Sequence, residues 1–352
     1  MNSKHILTFL IISASAISCQ DGALDIVDGN GPKAITFTAA VPETKASEVT
    51  YDKLIQNSFA MNAFLHQKTG SIRYIEDSIL SYKDGAWISS KMAFWPKSGS
   101  MAFYSLYPKD LQVSFFSEGN VPYFKYTVNR QEDILYATTV KDCEEANSKQ
   151  EGAGDVEINF RHAMSQVLFK LKNTNPDWKI DVLNVKISSV MSSGTFHFPD
   201  ENDGMGYWTD IVQDHFDIPA EFAEVKLDGV DTADIISSGK GAVFMLPQTN
   251  AGWDPEHDPQ NRNGGSYILI NCRINKVKGN GTEQVWPSEP GACREVAVPL
   301  AIDWKIGMRY TYTLSFGRGA GYIPPTEVDG GRRVLSDNPM MTKCSVIESA
   351  IE

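Results

Sequence analysis

Apolar and polar residues alternate with a period of two along most of this chain. In "MRYTYTLSF", the residues Tyr310, Tyr312, Leu314 and Phe316 fall on one face, and threonines and a serine fall on the other. Strict alternation of this kind is typical of a half-buried strand in an antiparallel sheet. The same pattern predicts buried faces in further strands, formed by Ile35, Phe37 and Ala39, by Val167, Phe169 and Leu171, and by Val296, Val298 and Leu300.

Helical patterns are scarce, and turn signals are frequent. The best helical candidate, "TYDKLIQNSFAMNAFLHQ", is better explained by a short turn followed by a strand. In "DVLNVKISSV", alternation places Leu183, Val185 and Ile187 on one face and Val182, Asn184 and Lys186 on the other. Glycine-rich turns such as Lys83-Asp84-Gly85 separate the predicted strands. Many short strands with frequent turns predict an all-β fold built from β-sandwiches.

One polar stretch divides the predicted strands into two groups. "CEEANSKQEGAGDVE" has no apolar period, so we predict a boundary near residue 152. Residues 34–152 are expected to form an N-terminal β-sandwich and residues 153–352 a C-terminal one, each with its own core. This division agrees with a mature length of about 330 residues, which suggests two domains of ordinary size.

The first residues, "HILTFLIISASAISCQDGALD", predict an export signal. The apolar run is too short for a membrane-spanning helix, which needs about 20 residues, and has the length of a signal-peptide core. It ends at Ala16-Ile17-Ser18-Cys19, which resembles a bacterial lipobox. Residues 1–18 are therefore predicted to be a lipoprotein signal peptide, Cys19 the lipid attachment site, and residues 19–33 a flexible tether.

The charge of the chain makes nucleic acid an improbable partner. The formal net charge is −12, and loss of residues 1–18 removes Lys4 and no acid, which leaves 31 basic and 44 acidic residues and a charge of −13. Nucleic-acid binders need clustered Lys and Arg, and Arg332-Arg333 is the only arginine pair.

Candidate chemical sites are weak. The loop "WDPEHDPQ" carries Asp254, Glu256, His257 and Asp258, which could offer oxygen ligands to Ca²⁺, but its prolines favour a solvated surface loop. His162 is interpreted as structural, and Glu201 with Asp203 as a turn between strands. We therefore predict neither an enzyme nor a metal or other cofactor. The pairing of Cys143, Cys272, Cys293 and Cys344 stays open, although Cys272 and Cys293 flank one loop.

Several motifs occur in an order that resembles the fimbrillin or Mfa-like family. They are "FWPKSGSMAFYSLYP", "QEDILYATT", "INFRHAMSQVLFKL", "GTFHF" and "WKIGMRYTYTLSF", and together they span most of the chain. The family consists of type V pilus subunits and related surface lipoproteins. The resemblance implies two transthyretin-like, Greek-key type β-sandwich domains, a lipidated precursor, and assembly outside the outer membrane by exchange of strands.

The resemblance also implies how such a subunit matures. In the family, a protease cuts after a basic residue in the loop that follows the first strand. Here that loop is "PETKASEVT", so the implied cut lies between Lys45 and Ala46, where the family commonly has Arg. The implied donor strand for a neighbouring subunit is the tail, in which Met340, Thr342, Cys344 and Val346 alternate until Glu348 interrupts the series.

Two classes of function follow from these patterns. The first is a structural subunit (shaft, anchor or tip) of a fimbria that supports adhesion, with other pilus subunits as partners and lipid on Cys19 holding it to the outer membrane. The second is a monomeric surface lipoprotein that binds a glycan or a host ligand. Exchangeable terminal strands would distinguish the first class from the second.

Overall fold

The computed structural model describes residues 32–41, 49–111, 115–118, 121–128, 131–202, 204–212, 216–220, 222–234, 242–317, 321–326, 330–331, 333–334 and 343–351. Almost every element in these ranges is a strand, so the predicted all-β fold is confirmed.

The elements up to residue 162 are, in chain order, β1 (Thr36–Ala40), α1 (Tyr51–Gln56), β2 (Ser58–Gln67), β3 (Gly70–Lys83), β4 (Ala86–Ser89), β5 (Ser100–Tyr107), β6 (Phe115–Glu118), β7 (Val121–Thr127), β8 (Leu135–Asp142), α2 (Cys143–Ala146), β9 (Asp155–Asn159) and β10 (Arg161–His162).

The elements that follow are β11 (Ser165–Asn173), β12 (Trp178–Val190), β13 (Ser193–His197), β14 (Tyr207–Val212), β15 (Phe216–Ala220), β16 (Val225–Asp228), β17 (Asp231–Asp234), β18 (Val243–Met245), β19 (Thr249–Asn250), β20 (Tyr267–Lys278), β21 (Gly281–Trp286), β22 (Arg294–Pro299), β23 (Ile302–Asp303), β24 (Met308–Phe316), β25 (Gly321–Tyr322), β26 (Arg333–Val334) and β27 (Lys343–Ala350).

Most of the faces predicted from alternation are the buried faces. Strand β24 buries all four of its predicted residues, and the sets around Val167 and Val296 are buried as well. Ile35 and Phe37 are buried, while Ala39 is half-buried against the same core. The period of two is a local property of an extended backbone, which explains why the sequence alone predicts these faces.

Two local predictions need correction. In β12 a bulge between Val182 and Asn184 changes the register with β20, so Val182 shares the buried face with Val185 and Ile187, and Leu183 is 38% exposed. A bulge inserts one residue and thereby reverses the alternation beyond it. The predicted turn before β2 is the short helix α1, whose first turn is capped because the side chain of Thr50 accepts a hydrogen bond from the backbone N–H of Lys53.

The first sheet has eight strands and folds back on itself. Its order is β10-β8-β5-β2-β3-β4-β1-β9. Strands β9 and β10 are consecutive in the chain: β9 pairs with β1 in parallel and β10 pairs with β8, so residues 155–162 join the two ends of the sheet. Thr139 of β8 also donates its hydroxyl to the backbone oxygen of Glu157 at 2.6 Å. The sheet therefore encloses its own core between two layers.

Strands β9 and β10 lie directly after the predicted boundary at residue 152. Val156, Ile158 and Phe160 are buried in the core of the first sheet, although the sequence analysis assigned them to the second half. The polar stretch that suggested the boundary forms helix α2 and the turn before β9. A polar turn within one sheet and a polar linker between domains look alike in sequence, and only the long-range pairing of β9 with β1 separates them.

The second half contains three larger sheets that share one core. Their orders are β17-β11-β24-β27, β15-β12-β20-β22-β25-β26 and β14-β13-β7-β6. The last of these takes the hairpin β6–β7 from the first half of the chain. The outer face of the first sheet also contributes Phe64, Tyr104 and Tyr136 to the core of the second half. The interior of the first sheet is thus a core of its own, but the two halves are packed against each other rather than independently.

Candidate strand-exchange site

The first strand occupies a gap inside the closed sheet. Strand β1 pairs in parallel with β9 along its whole length, from Thr36↔Asp155 to Ala40↔Asn159. On its other side it pairs with β4 at one position, Phe37↔Trp87. Removal of β1 would therefore leave β4 and β9 with unpaired backbone groups on either side of an open groove, which is the geometry that accepts an added strand.

Strand β1 also contributes to the core. Ile35, Phe37 and Val41 are buried, and the ring of Phe37 packs edge-on against Phe103 with 6.0 Å between centroids. Each of these side chains contributes about 1.5–3 kcal/mol when fully buried. An empty groove would expose the apolar surface that they cover, so the groove favours an occupant.

The start of β1 is anchored by a residue that the sequence analysis assigned to the tether. Lys33 donates from its ammonium group to the backbone oxygen of Ala146 at 2.9 Å and to that of Ser148 at 3.3 Å. Its own carbonyl accepts from the backbone N–H of Trp95 at 2.9 Å. Lys33 therefore belongs to the folded body. The tether residues before Pro32, including Cys19, lie outside the described residues.

The predicted cleavage site follows β1 directly. Lys45 and Ala46 fall within residues 42–48, outside the part of the chain that the structure describes. The residues on either side, Val41 and Val49, are both buried. A cut between these two valines would break the covalent link between β1 and the strands that follow it.

The last strand lies at the edge of its own sheet. Strand β27 pairs antiparallel with β24 from Met308↔Ala350 to Ser315↔Lys343, and among the described strands it has no second neighbour. Of the predicted donor residues, Cys344 and Val346 lie on β27 opposite Leu314 and Tyr312, while Met340 and Thr342 lie outside the described residues.

Side chains of this tail are described from residue 347 to residue 351, and among them only the last is buried. Residues 347–350 are exposed, and Ile347 is 67% exposed. The next residue, Ile351, is buried, and its backbone N–H donates to the carbonyl of Gly307 at 2.7 Å. The tail is thus an edge strand of the sheet that contains β24.

The remaining sequence candidates do not form a reactive site. His162 and Asp133 are both buried, and Nδ1 of the histidine lies 2.7 Å from Oδ2 of the aspartate. Sequence analysis missed Asp133, which lies 29 residues away and carries no local signal. The pair links β10 to the segment before β8 and supports the structural interpretation of His162.

The acidic loop candidates are dispersed. Asp254 accepts from the ring of His257 at 2.8 Å on the surface, and its backbone contacts within the loop lower its pKa. Glu201 forms a turn, since its carbonyl accepts from the N–H of Gly204, and Asp203 lies outside the described residues. Across the described ranges no group of three or more His, Cys, Asp or Glu side chains could hold a metal ion.

The cysteines stay unpaired where their side chains are described. Cys143, Cys272 and Cys293 are free thiols, and burial raises the pKa of Cys143 to about 11. Cys272 is buried in β20 and pairs with Arg294 of β22. Cys293 directly precedes Arg294 in the chain and therefore lies near Cys272. Neither of the two helices in the described part of the chain has the length or apolar character of a membrane-spanning segment.

These features define a β-sandwich protein whose first strand lies between β4 and β9 and whose last strand lies at a sheet edge. A fimbrillin-like family model matches residues 33–330, and the chain therefore belongs to the fimbrillin-like family. The predicted family is confirmed. It is a family of fimbrial and adhesion-type structural proteins at the cell surface rather than of enzymes, as the sequence analysis predicted.

The chain is similar to several solved bacterial structures. A proposed cell adhesion protein of Bacteroides ovatus is 12% identical with a TM-score of 0.47, covering 92% of this chain and 100% of that one. A similar protein of Parabacteroides distasonis is 11% identical with a TM-score of 0.44, covering 90% and 96%. The fimbrial anchor protein Mfa2 of Porphyromonas gingivalis is 11% identical with a TM-score of 0.32, covering 91% and 99%. No curated protein matches in sequence.

Proposed function

We propose that this protein is a structural subunit of a cell-surface fimbria that joins its neighbours by strand exchange. One observation carries the proposal: β1 fills a gap between β4 and β9 in a closed sheet, and a loop with a basic residue follows it directly. Cleavage after Lys45 followed by departure of β1 opens the groove, and a strand from the next subunit fills it. Lipid on Cys19 brings the precursor to the outer membrane.

Whether β27 leaves β24 or stays paired with it determines the position of the subunit in the fibre. If β27 leaves β24, this subunit both accepts and donates a strand and belongs to the shaft. Release exposes the edge of β24 and frees Ile351 from the core, so donation has a cost that the groove of the next subunit must offset. If the tail stays on β24, the subunit acts at an end of the fibre as anchor or tip. We further propose two domains that meet near Ala163, after strand β10.

The test is limited digestion of the purified protein with trypsin, followed by sequencing of the new N-terminus. We expect a start at Ala46, together with multimers that survive mild detergent. The matched control is Lys45→Gln, which should keep β1 and remain monomeric. A second internal control is Lys53, which is exposed but lies in helix α1 and should resist cleavage.

The outcomes distinguish a subunit of the shaft from a subunit at an end of the fibre, and they test strand removal itself. A start at Ala46 with multimers supports the shaft position, and the same start without multimers supports an end position. If Lys45 resists trypsin while other exposed sites are cut, strand removal is refuted for this protein. If Lys45→Gln forms multimers as readily as the wild type, assembly does not depend on that cleavage.

A further inference from the structure

A cleft unrelated to the terminal strands lies on the outer face of the first sheet. It has a volume of about 350 Å³ and is bounded by β2, β3, β5 and the turn after β5. Small-molecule sites in proteins usually measure about 300–1,000 Å³. The cleft is therefore large enough for one small ligand, and the proposed strand exchange makes no use of it.

A β-bulge turns two polar side chains into this cleft. Between the pairs Met61↔Ser78 and Ala63↔Ile75, the single residue Asn62 of β2 faces two residues of β3, the second of which is Asp77. Asp77 has a φ of 47°, a left-handed conformation that is uncommon for a residue other than glycine. Bulges of this kind change the direction of a side chain and are frequent beside functional sites.

Asn62 and Asp77 hold each other in a fixed arrangement. The amide nitrogen of Asn62 donates to Oδ1 of Asp77 at 3.2 Å, and the backbone N–H of Asp77 donates to the side-chain oxygen of Asn62 at 3.0 Å. Asn62 is 3% exposed, whereas Asp77 is exposed. Among the described residues, the second carboxylate oxygen of Asp77 and the second amide hydrogen of Asn62 have no partner. An acceptor and a donor are thus presented side by side.

The charges around the cleft balance. Arg73 lies 5.4 Å above the ring of Phe64 and pairs with Glu76 at 2.7 Å, which fixes its guanidinium at the rim. Lys109 also lines the cleft. Because Glu76 neutralises Arg73, the remaining charged groups of the lining are one cation, Lys109, and one anion, Asp77. A ligand with a net charge gains little from such a site, while an uncharged ligand rich in hydroxyl groups can form hydrogen bonds with both Lys109 and Asp77.

Part of the cleft lining is apolar. It is formed by Ile79, Leu106 and Leu111. Tyr104 lines the cleft as well, and burial raises its pKa to about 12, so its hydroxyl stays protonated at neutral pH. A pyranose sugar matches this division, because one face of its ring presents C–H groups and its edge presents adjacent hydroxyls, each of which donates and accepts.

We propose that this cleft binds an uncharged pyranose residue of a surface glycan, with Asp77 and Asn62 contacting two adjacent hydroxyls and Ile79 and Leu106 contacting the C–H face of the ring. This activity goes beyond the structural role in a fibre and does not depend on it. It would give the folded subunit a means of adhesion before any strand is removed.

The test uses the uncleaved protein and a panel of methyl pyranosides: the glucoside, galactoside, mannoside and N-acetylglucosaminide as neutral probes, and the glucuronide as an acidic probe. Saturation-transfer NMR should detect at least one neutral glycoside. In protein with labelled methyl groups, the same glycoside should shift the resonances of Ile79 and Leu106. This second measurement is made on the wild type and needs no variant.

Asp77→Asn is the informative variant, and Asp84→Asn is its matched control. Both aspartates lie on the first sheet with a left-handed φ, which asparagine also tolerates, but Asp84 is in the turn between β3 and β4. A hydrogen bond to a charged group is stronger than one to a neutral group, so Asp77→Asn should weaken binding by about fivefold or more. Asp84→Asn should bind like the wild type.

Three results would overturn the proposal. They are the absence of saturation transfer from every neutral glycoside, equal affinity in Asp77→Asn and Asp84→Asn, and binding of the glucuronide alone. None of these results concerns the trypsin experiment, which can succeed or fail separately.

Discussion

The replacement Phe37→Ala tests whether β1 is an integral part of the first sheet. Phe37 is 7% exposed, packs against Phe103 and faces Trp87 across the single pair that joins β1 to β4. Truncation of a buried phenylalanine to alanine usually costs about 3–5 kcal/mol of unfolding free energy, because the apolar contacts are lost and a cavity remains. The total for a domain is about 5–15 kcal/mol.

The measurement is urea denaturation followed by tryptophan fluorescence, since Trp87 and Trp95 lie in the same core. For an m-value of about 2 kcal/mol/M, the midpoint should fall by roughly 1.5–2.5 M. The control is Thr38→Ala, which alters an exposed residue of the same strand and should change the unfolding free energy by about 0.5 kcal/mol or less.

A loss below about 1 kcal/mol in Phe37→Ala would refute this reasoning, because it would mean that the sheet hardly depends on β1. An unchanged urea midpoint for the core that contains Trp87 and Trp95 would also refute it. Strand exchange could then not be driven by refilling of the groove.

Two further predictions concern the anchor and a buried tyrosine. The Cys19→Ala variant of this protein should incorporate no labelled palmitate when expressed in cells. The control Cys143→Ala, which changes a buried thiol, should be labelled like the wild type. Equal labelling of Cys19→Ala and the wild type would refute the lipoprotein hypothesis. Burial and, to a smaller extent, the charge of Asp200 raise the pKa of Tyr104 to about 12, so its contribution to stability is complete below pH 10 and is lost as the pH rises towards 12. The unfolding free energy, measured with urea, should fall between pH 8 and pH 11 by about 1.4 kcal/mol less in Tyr104→Phe than in the wild type. Equal falls in the two proteins would contradict this prediction.

The sequence by itself determined the local features of this protein. Alternation identified the strands around Phe37 and Tyr312 and their buried faces, because an extended backbone turns successive side chains to opposite sides of a sheet. The turn at Asp84-Gly85 was also predicted from the sequence, since Asp and Gly tolerate the left-handed conformation that a tight hairpin needs and that both residues adopt. The order of the motifs was sufficient to indicate the family.

Tertiary structure alone decided which strands became neighbours. The parallel pairing of β9 with β1, the transfer of β6 and β7 to a sheet of the second half, and the contact of His162 with Asp133 join residues that are far apart in sequence. The bulge that places Asp77 beside Asn62 exists only because β2 and β3 must stay in register on both sides of one extra residue. Such pairings depend on which apolar faces can be buried together, and no local period in the sequence records that choice.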